Sequence, residues 1–600
     1  MKYLFLLGCS LSIAAPAWAA EDEITVVASG FSQPVDSTGQ AISVVDAAEL
    51  ASIQGPDITR VLERLPGVAV ARNGGLGAFT GVRIRGASSE QTLVLVDGAR
   101  LADVSSPGSG FDFGTLLSGN VEKVELLRGS NSLIWGSDAI GGVIAVTTKQ
   151  TEGVEASAEY GTYDSFSGAA SGGIKAGPVS VSVNGGYARS DGFSALAADA
   201  ESDGFEQWQL GGRASVEVAN DLNAFIDARY AESEAGIDFS FANDYVQTTK
   251  QASGRAGLAY ASDALDLTAA FSLADTNRAY ASPSFGYEYN GRNSLAELRG
   301  KWRAVGPVAV LFGASHAWDR YDGTFDARQT ARQASGHLVL DYGSDAANFA
   351  AGVRLDHHSR FGDAWTMGAN GSVKIGGGWR LRASYGEGFK APTLYQLFGF
   401  AGNLGLDPER SRSYEAGIEK GDRSSALHFA ATVFRRDSRN LIDYDANANG
   451  GWGGYLNVSR TRASGFELEV DVRPVEALQL RAAYSYVKAT NLATGRDLYR
   501  RPRHALSLSG DWTTPLGGLV LGADTRFVSE SIDDPFGDTN LANDVKLKPY
   551  AVLTLRASLP VTERFELFGR VENVGNAKYQ AVAGYNTPGR SAYFGARARF

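Results

Sequence analysis

From about Gly153 to Phe600 the chain is written in segments of about ten residues whose polarity alternates residue by residue, separated by Gly, Asn, Asp and Ser. Val179, Val181 and Val183 alternate with Ser180, Ser182 and Asn184, and Phe466, Leu468, Val470 and Val472 alternate with Glu467, Glu469, Asp471 and Arg473. A strand whose second face is fully charged needs water on that side and apolar surroundings on the other. A soluble sandwich and a transmembrane barrel both meet that condition, and length separates them. A soluble sandwich of this extent should break into modules of about 100 residues joined by linkers, which the sequence lacks. One barrel of tilted strands of about 9–11 residues, with short turns at one end and long loops at the other, accommodates it. At roughly twenty residues per strand and connection, about 22 strands fit, and a lumen that wide needs filling.

The filling precedes the barrel. Asp46 and Glu49 read as a capping box opening a short helix over Ala47 to Ile53. Ile58, Val61, Leu62 and Leu65 fall at helical spacing, and Pro66-Gly67 ends the run. Short strands follow at Val82 to Arg85, Thr92 to Val96, Val121 to Leu127 and Val143 to Thr148. The predicted class is therefore a membrane all-β barrel of about 22 antiparallel strands with an N-terminal α+β plug domain in its lumen. The expected boundaries are a signal peptide over 1–20, a periplasmic leader over 21–40, the plug over 41–150 and the barrel over 151–600. The signal is read from Lys2, the apolar stretch Tyr3 to Ala15 and the small-x-small triplet Ala17-Trp18-Ala19. Leu6-Leu7-Gly8-Cys9 mimics a lipobox, but too few apolar residues precede the cysteine. The sole cysteine then leaves with the signal, which suits an oxidising compartment beyond the inner membrane.

Composition narrows function by exclusion. One Cys and two Met in 600 residues leave no Cys-based zinc or iron–sulfur site. A net charge of −11 gives no overall basic character for nucleic acid. No segment offers the apolar run of 18 or more residues that a transmembrane helix needs. The histidines are scattered, Asp356-His357-His358 lacks partners at ligand spacing, and neither a G-x-S-x-G elbow nor a dinucleotide fingerprint occurs, so no enzyme is expected. Asp199, Glu201 and Asp203 place three carboxylates two residues apart, with Glu232 and Asp238 one strand and loop later; clustered carboxylates suit calcium, whereas zinc would want His or Cys. A solvated acidic loop reads the same way.

Several motifs in order resemble the TonB-dependent outer-membrane receptors. Glu23-Ile24-Thr25-Val26-Val27-Ala28 is similar to the family's Ton box. In the plug come Val61-Leu62-Glu63-Arg64-Leu65-Pro66-Gly67-Val68, Arg83-Ile84-Arg85-Gly86, Leu95-Val96-Asp97-Gly98, Val124-Glu125-Leu126-Leu127-Arg128-Gly129 and Trp135-Gly136-Ser137-Asp138-Ala139-Ile140-Gly141-Gly142. In the barrel come Phe389-Lys390-Ala391-Pro392-Thr393-Leu394, Leu406-Asp407-Pro408-Glu409, Val571-Glu572-Asn573 and an alternating last strand ending on Phe600. The resemblance covers nearly the whole mature chain. It implies a monomeric outer-membrane transporter without a catalytic cofactor, whose residues 23–28 pair with TonB by strand addition and whose barrel contacts outer-membrane lipid. Its cobalamin-transporting members resemble this chain most in length and in the acidic loop, so cobalamin is the expected solute. A ferric siderophore is the alternative within the family, and a passive porin-like channel is disfavoured by the plug. The same resemblance implies solute contacts at Phe79, Gly81, Ser88, Ser105, Ser106 and Arg501, and a structural calcium ion on Asp199, Glu201, Asp203, Glu232 and Asp238. Gly192-Phe193-Ser194 departs from the family, which has an aspartate after the Gly-aromatic pair.

Overall fold

The computed structural model describes residues 24–105, 110–197, 200–239, 242–421, 423, 425–534 and 544–600. Among them, 22 antiparallel strands follow one another in sequence order and close into a barrel, the first, Gly153–Gly161, pairing with the last, Ser591–Arg599. No described helix is long and apolar enough to cross a membrane. One end of the barrel carries tight turns such as 177–178, 220–221, 306–307 and 476–477, and the other carries long connections at 194–202, 391–408, 492–503, 529–549 and 573–590. Short turns mark the periplasmic end of such barrels and long loops the outside.

The alternation resolves into two different environments. Val179, Val181 and Val183 are exposed on the outer wall, where lipid covers them, while Ser182 and Asn184 are buried inside. Glu467, Glu469 and Asp471 also face inward, but the charged face expected to meet water instead meets protein. Arg85 of the plug donates to Glu467 at 2.8 and 2.7 Å and to Glu415 at 2.6 Å, and Arg128 lies 3.3 Å from Glu467. All four side chains are buried.

The plug is a five-stranded sheet in the order Ile42–Val45, Val121–Arg128, Gly142–Thr148, Thr92–Val96, Ala99–Arg100, beside a hairpin of Val68–Arg72 and Thr80–Ile84. Its alternating apolar residues, among them Val45, Val82, Ile84, Val94, Val124, Leu126 and Ile144, share one core with Ile58, Val61, Leu62 and Leu65. Each such burial contributes about 1.5–3 kcal/mol. The helix Ala47–Ile53 forms as expected, capped by Asp46, whose Oδ1 accepts from Glu49 N at 2.8 Å. The returning half of the box is absent because Glu49 pairs with Arg481 of the barrel. The second helix is a single turn, Thr59–Leu62, though all four residues of its apolar stripe are buried. Gly129 has φ +93, and a Cβ at Gly142 would sit 2.4 Å from the Leu127 carbonyl, so both positions exclude side chains.

Asp57 joins the short helix to the hairpin. Arg72 donates to both its oxygens, at 2.7 and 2.9 Å, and Thr59 donates from its backbone and its hydroxyl. Burial raises the Asp57 carboxyl, but Arg72 and Thr59 override it and hold the pKa at about 2, against an ordinary 3.8. A depressed folded pKa gives stability that is complete above about pH 4 and lost as pH falls toward 2, here about 2 kcal/mol. Asp57→Asn is expected to lower plug stability at neutral pH and to flatten its pH dependence over this window, read as thermal unfolding against pH.

Candidate solute site and coupling segment

The coupling segment is docked. Ile24–Thr25 folds back to pair with Gln33–Pro34, and Thr25 and Val27 are buried. Val27 packs with Leu93, Leu95, Leu127, Ala139 and Val143. Its carbonyl accepts from Trp135 Nε1 at 2.8 Å, and Val26 N donates to Glu125 Oε1 at 3.0 Å. Ala28 is buried, Ile24 is exposed, and Glu23 lies outside the described residues. The leader then packs Phe31 against Leu311 and Val339 near the short turns. It is clasped to the wall by Asn370, whose Oδ1 accepts from Thr38 Oγ1 and Gly39 N at 3.1 and 2.9 Å, and by Glu415, which accepts from Ala41 N at 2.8 Å. The extended strand read from the sequence is therefore a closed hairpin tucked into the plug base.

At the opposite end, the plug apex meets the long loops. Ser88 and Arg501, more than four hundred residues apart in sequence, come together: Arg501 donates to Ser88 Oγ at 2.9 Å and to the Gly86 carbonyl at 3.4 Å. Arg500 donates to Asp533 at 2.6 Å. Arg83, one turn of strand from the apex, has Nε and one terminal nitrogen buried without a hydrogen-bond partner, and so has the Nε of Arg436 on the wall. Burial, then repulsion from Arg501 and Arg500, draws the Arg83 guanidinium well below its ordinary range. Burial brings Arg501 down to about 10, with Asp443 opposing and Arg500 adding. Arg501 also acts on Arg436 electrostatically. The apex thus carries four neighbouring arginines with incomplete compensation.

Facing them is an aromatic wall. The capping box of Thr393 and Gln396 starts the loop helix Leu394–Phe398, which buries Tyr395 against Tyr289, Tyr321 and Tyr455 at ring distances of 5.2, 5.9 and 6.1 Å. The wall reaches solvent at Tyr444, and at Phe285 and Phe325, stacked 5.8 Å apart. The barrel motifs position this region: Lys390 and Glu409 stand opposite each other, and Glu409 accepts from Gln91 of the plug at 2.6 Å. Among the other residues expected at the solute, Phe79 is half-buried, Gly81 lies buried beneath Ser89, and Ser105 is fully buried with its hydroxyl on Asp103. Ser106 lies outside the described residues. Arg83 belongs to the plug motif Arg83-Ile84-Arg85-Gly86, whose paired arginines are its signal, while Arg436 and the tyrosines carry no motif.

Of the acidic residues, Glu201, Asp203 and Asp238 converge, each with an oxygen within 4.8 Å of the others. Asp203 accepts from Ala195 N at 2.6 Å and Asp238 from Leu196 N at 3.2 Å. Glu232 does not join them: it sits on the outer wall between buried Ala231 and Ser233, paired with Lys250 at 3.3 Å. Asp238 shares its parity, but the register shift between Ile237 and Phe239 turns its side chain to the cluster. Asp199 lies outside the described residues.

Comparison with known proteins agrees with this architecture. The TonB-dependent receptor-like β-barrel family matches residues 155–574, and the TonB-dependent receptor plug domain matches 34–143. Similar solved structures include a mutant of the ferric enterobactin receptor PfeA from Pseudomonas aeruginosa in complex with enterobactin, at 20% identity and TM-score 0.80, covering 94% of this chain and 99% of that one. The siderophore receptor PirA from Acinetobacter baumannii matches at 17% identity and TM-score 0.78, covering 93% and 98%. The copper transporter OprC matches at 15% identity and TM-score 0.80, covering 93% and 100%. At these identities the likeness is one of fold. With barrel, plug and family profiles in agreement, the chain belongs to the TonB-dependent receptors of the Gram-negative outer membrane.

Proposed function

We propose that this receptor imports an anionic metal chelate of the ferric-siderophore class, driven through TonB. The observation that carries the reading is the group of under-compensated arginines at the plug apex, Arg83, Arg436 and Arg501. A buried cation lacking a partner is costly, and an incoming anion relieves that cost. A chelate with charge spread over several oxygens matches several guanidinium forks at once. Cobalamin, the solute expected from the sequence, presents mainly neutral amides and one phosphodiester, and uses this charge less well. The solved neighbours named as siderophore receptors point the same way.

Solute binding at the apex would act on the loop and plug contacts that Arg501 and Ser88 share. The coupling segment would then leave its hairpin more readily, and its freed edge would pair with TonB. The direct test measures binding of labelled ferric chelates to the full-length protein in outer membranes, with cobalamin as competitor. Arg83→Gln and Arg501→Gln are each expected to weaken binding about 10- to 100-fold, the loss of one charge-assisted contact. Saturable cobalamin binding indifferent to anionic chelates would overturn the reading.

The acidic cluster fits a hard cation such as calcium. Its donors are all carboxylate oxygens, and Asp238 Oδ1 is buried without a hydrogen-bond partner. Glu201, Asp203 and Asp238 would hold the ion, which would neutralise their mutual repulsion. They would thereby fasten the 194–202 loop to the strand of Asp238. Calcium is expected to raise the thermal midpoint relative to chelator-treated protein, and Asp238→Asn to remove that increment; equal midpoints with and without calcium would dismiss the site.

A further inference from the structure

We propose that the outer wall formed by the strands Glu409–Lys420, Leu427–Asp445 and Gly454–Val475 is a binding site for the phosphorylated headgroup of an outer-leaflet lipid. The starting point is strand register. Arg410 stands directly opposite Arg439, and Arg439 directly opposite Arg460, so three arginines form one row across three adjacent strands. All three are exposed, and they alternate with inward residues Glu409, Ser438 and Thr461, which are buried. The row therefore projects from the barrel toward its surroundings. Directly opposed like charges destabilise a sheet unless something compensates them.

Compensation within the protein is incomplete. Asp437 takes Arg435 at 2.8 Å and Arg462 at 2.6 Å, and Glu387 takes Arg412 at 3.2 Å. Arg410 lies over the Phe389 ring at 5.5 Å. Among the described residues, no carboxylate pairs with Arg410, Arg439 or Arg460. Elsewhere on the wall Lys250 pairs with Glu232 at 3.3 Å, Arg292 with Asp275 at 2.5 Å and Arg320 with Asp322 at 3.6 Å, while Arg332, among the described residues, has no carboxylate. What sets this sector apart is that three arginines without a carboxylate stand in one register-aligned row.

Position identifies the missing anion. Below the row, on the same outer face, the rings of Tyr385 and Tyr414 meet at 5.2 Å, tilted to one another, and Phe466 contacts Tyr484 and Tyr486 at 5.6 and 5.8 Å. Aromatic girdles of this kind mark the boundary between hydrocarbon and headgroups. Arg410 lies four residues beyond Tyr414, and Arg460 six beyond Phe466, toward the long loops, which at about 3.3 Å per residue and a tilt near 40° is headgroup depth. A phosphate at that depth offers Arg forks the geometry they bind best. A soluble anion would have no reason to require the girdle beneath it, whereas a lipid would use both.

The test compares the mature wild-type protein with the triple variant Arg410→Gln, Arg439→Gln, Arg460→Gln in phosphatidylcholine nanodiscs doped with bis-phosphorylated lipid A. Co-purified lipid is read by native mass spectrometry, and folding is checked by the heat-dependent gel mobility of the barrel. Retention is expected to fall about 100-fold, the product of roughly fivefold for each cation near an anionic surface. A control triple variant, Lys250→Gln, Arg292→Gln, Arg320→Gln, is expected to retain lipid as wild type does, and Arg439→Gln alone supplies an intermediate loss if the triple variant folds poorly. Equal retention by wild type and by either arginine-row variant would overturn the proposal. So would equal losses in the control variant, or displacement of the lipid by inorganic phosphate, which would mark the row as a general anion patch.

Discussion

Removing residues 23–28 is expected to reduce uptake of the solute to the passive background while surface binding keeps its wild-type affinity. The reason is spatial. Its described residues lie at the plug base among Leu93, Leu127 and Val143, at the opposite end of the plug from the apex arginines. Loss of the Val27 side chain from that cluster costs the plug about 1.5–3 kcal/mol, so a gentler variant separates coupling from stability. Ile24→Pro serves, because Ile24 is exposed and its side chain supports no core, yet proline cannot complete a strand ladder with a partner. Both variants should bind and fail to transport. Transport at the wild-type rate in either would remove energy coupling through this segment.

The second large effect concerns the anchor between plug and wall. Glu467→Ala leaves Arg85 and Arg128 buried beside one another with only Glu415 and Glu469 remaining nearby. Stripping one partner from a buried ion group typically costs about 3–5 kcal/mol, because the remaining charge is uncompensated. The plug is expected to unfold at lower denaturant than in wild type while the barrel resists, and cells should admit large antibiotics that the intact plug excludes. Replacing Arg85 and Glu467 together by Met and Leu should recover only part of the loss, since Arg128 and Glu415 each lose a partner and keep Glu469 and Arg382. An unchanged denaturant midpoint for Glu467→Ala would show that the anchor is elsewhere.

Of the residues expected at the solute, the structure brings Ser88 and Arg501 together and buries Gly81 and Ser105. Ser88 and Arg501 were named separately and meet through a hydrogen bond that no local spacing encodes. Glu201, Asp203 and Asp238 gather, while Glu232, of the same charge and parity as Asp238, faces outward; a register shift decides between them. Arg83 stands in a plug motif and Arg436 in none, but local sequence does not distinguish an arginine that meets a carboxylate from one that does not.

The sequence by itself determined the barrel, the plug, their order and the side of each strand that faces lipid, because side-chain period two and the apolar pattern are local properties. Only the tertiary structure decided what the inward charges meet. The acidic face of Phe466 to Arg473 asked for water and received Arg85 and Arg128 of the plug, hundreds of residues away in the chain. It also decided the outward arginine row, since Arg410, Arg439 and Arg460 become neighbours only through the register of three strands. Register depends on every pairing around a closed barrel at once, and that sum is not written in any one segment.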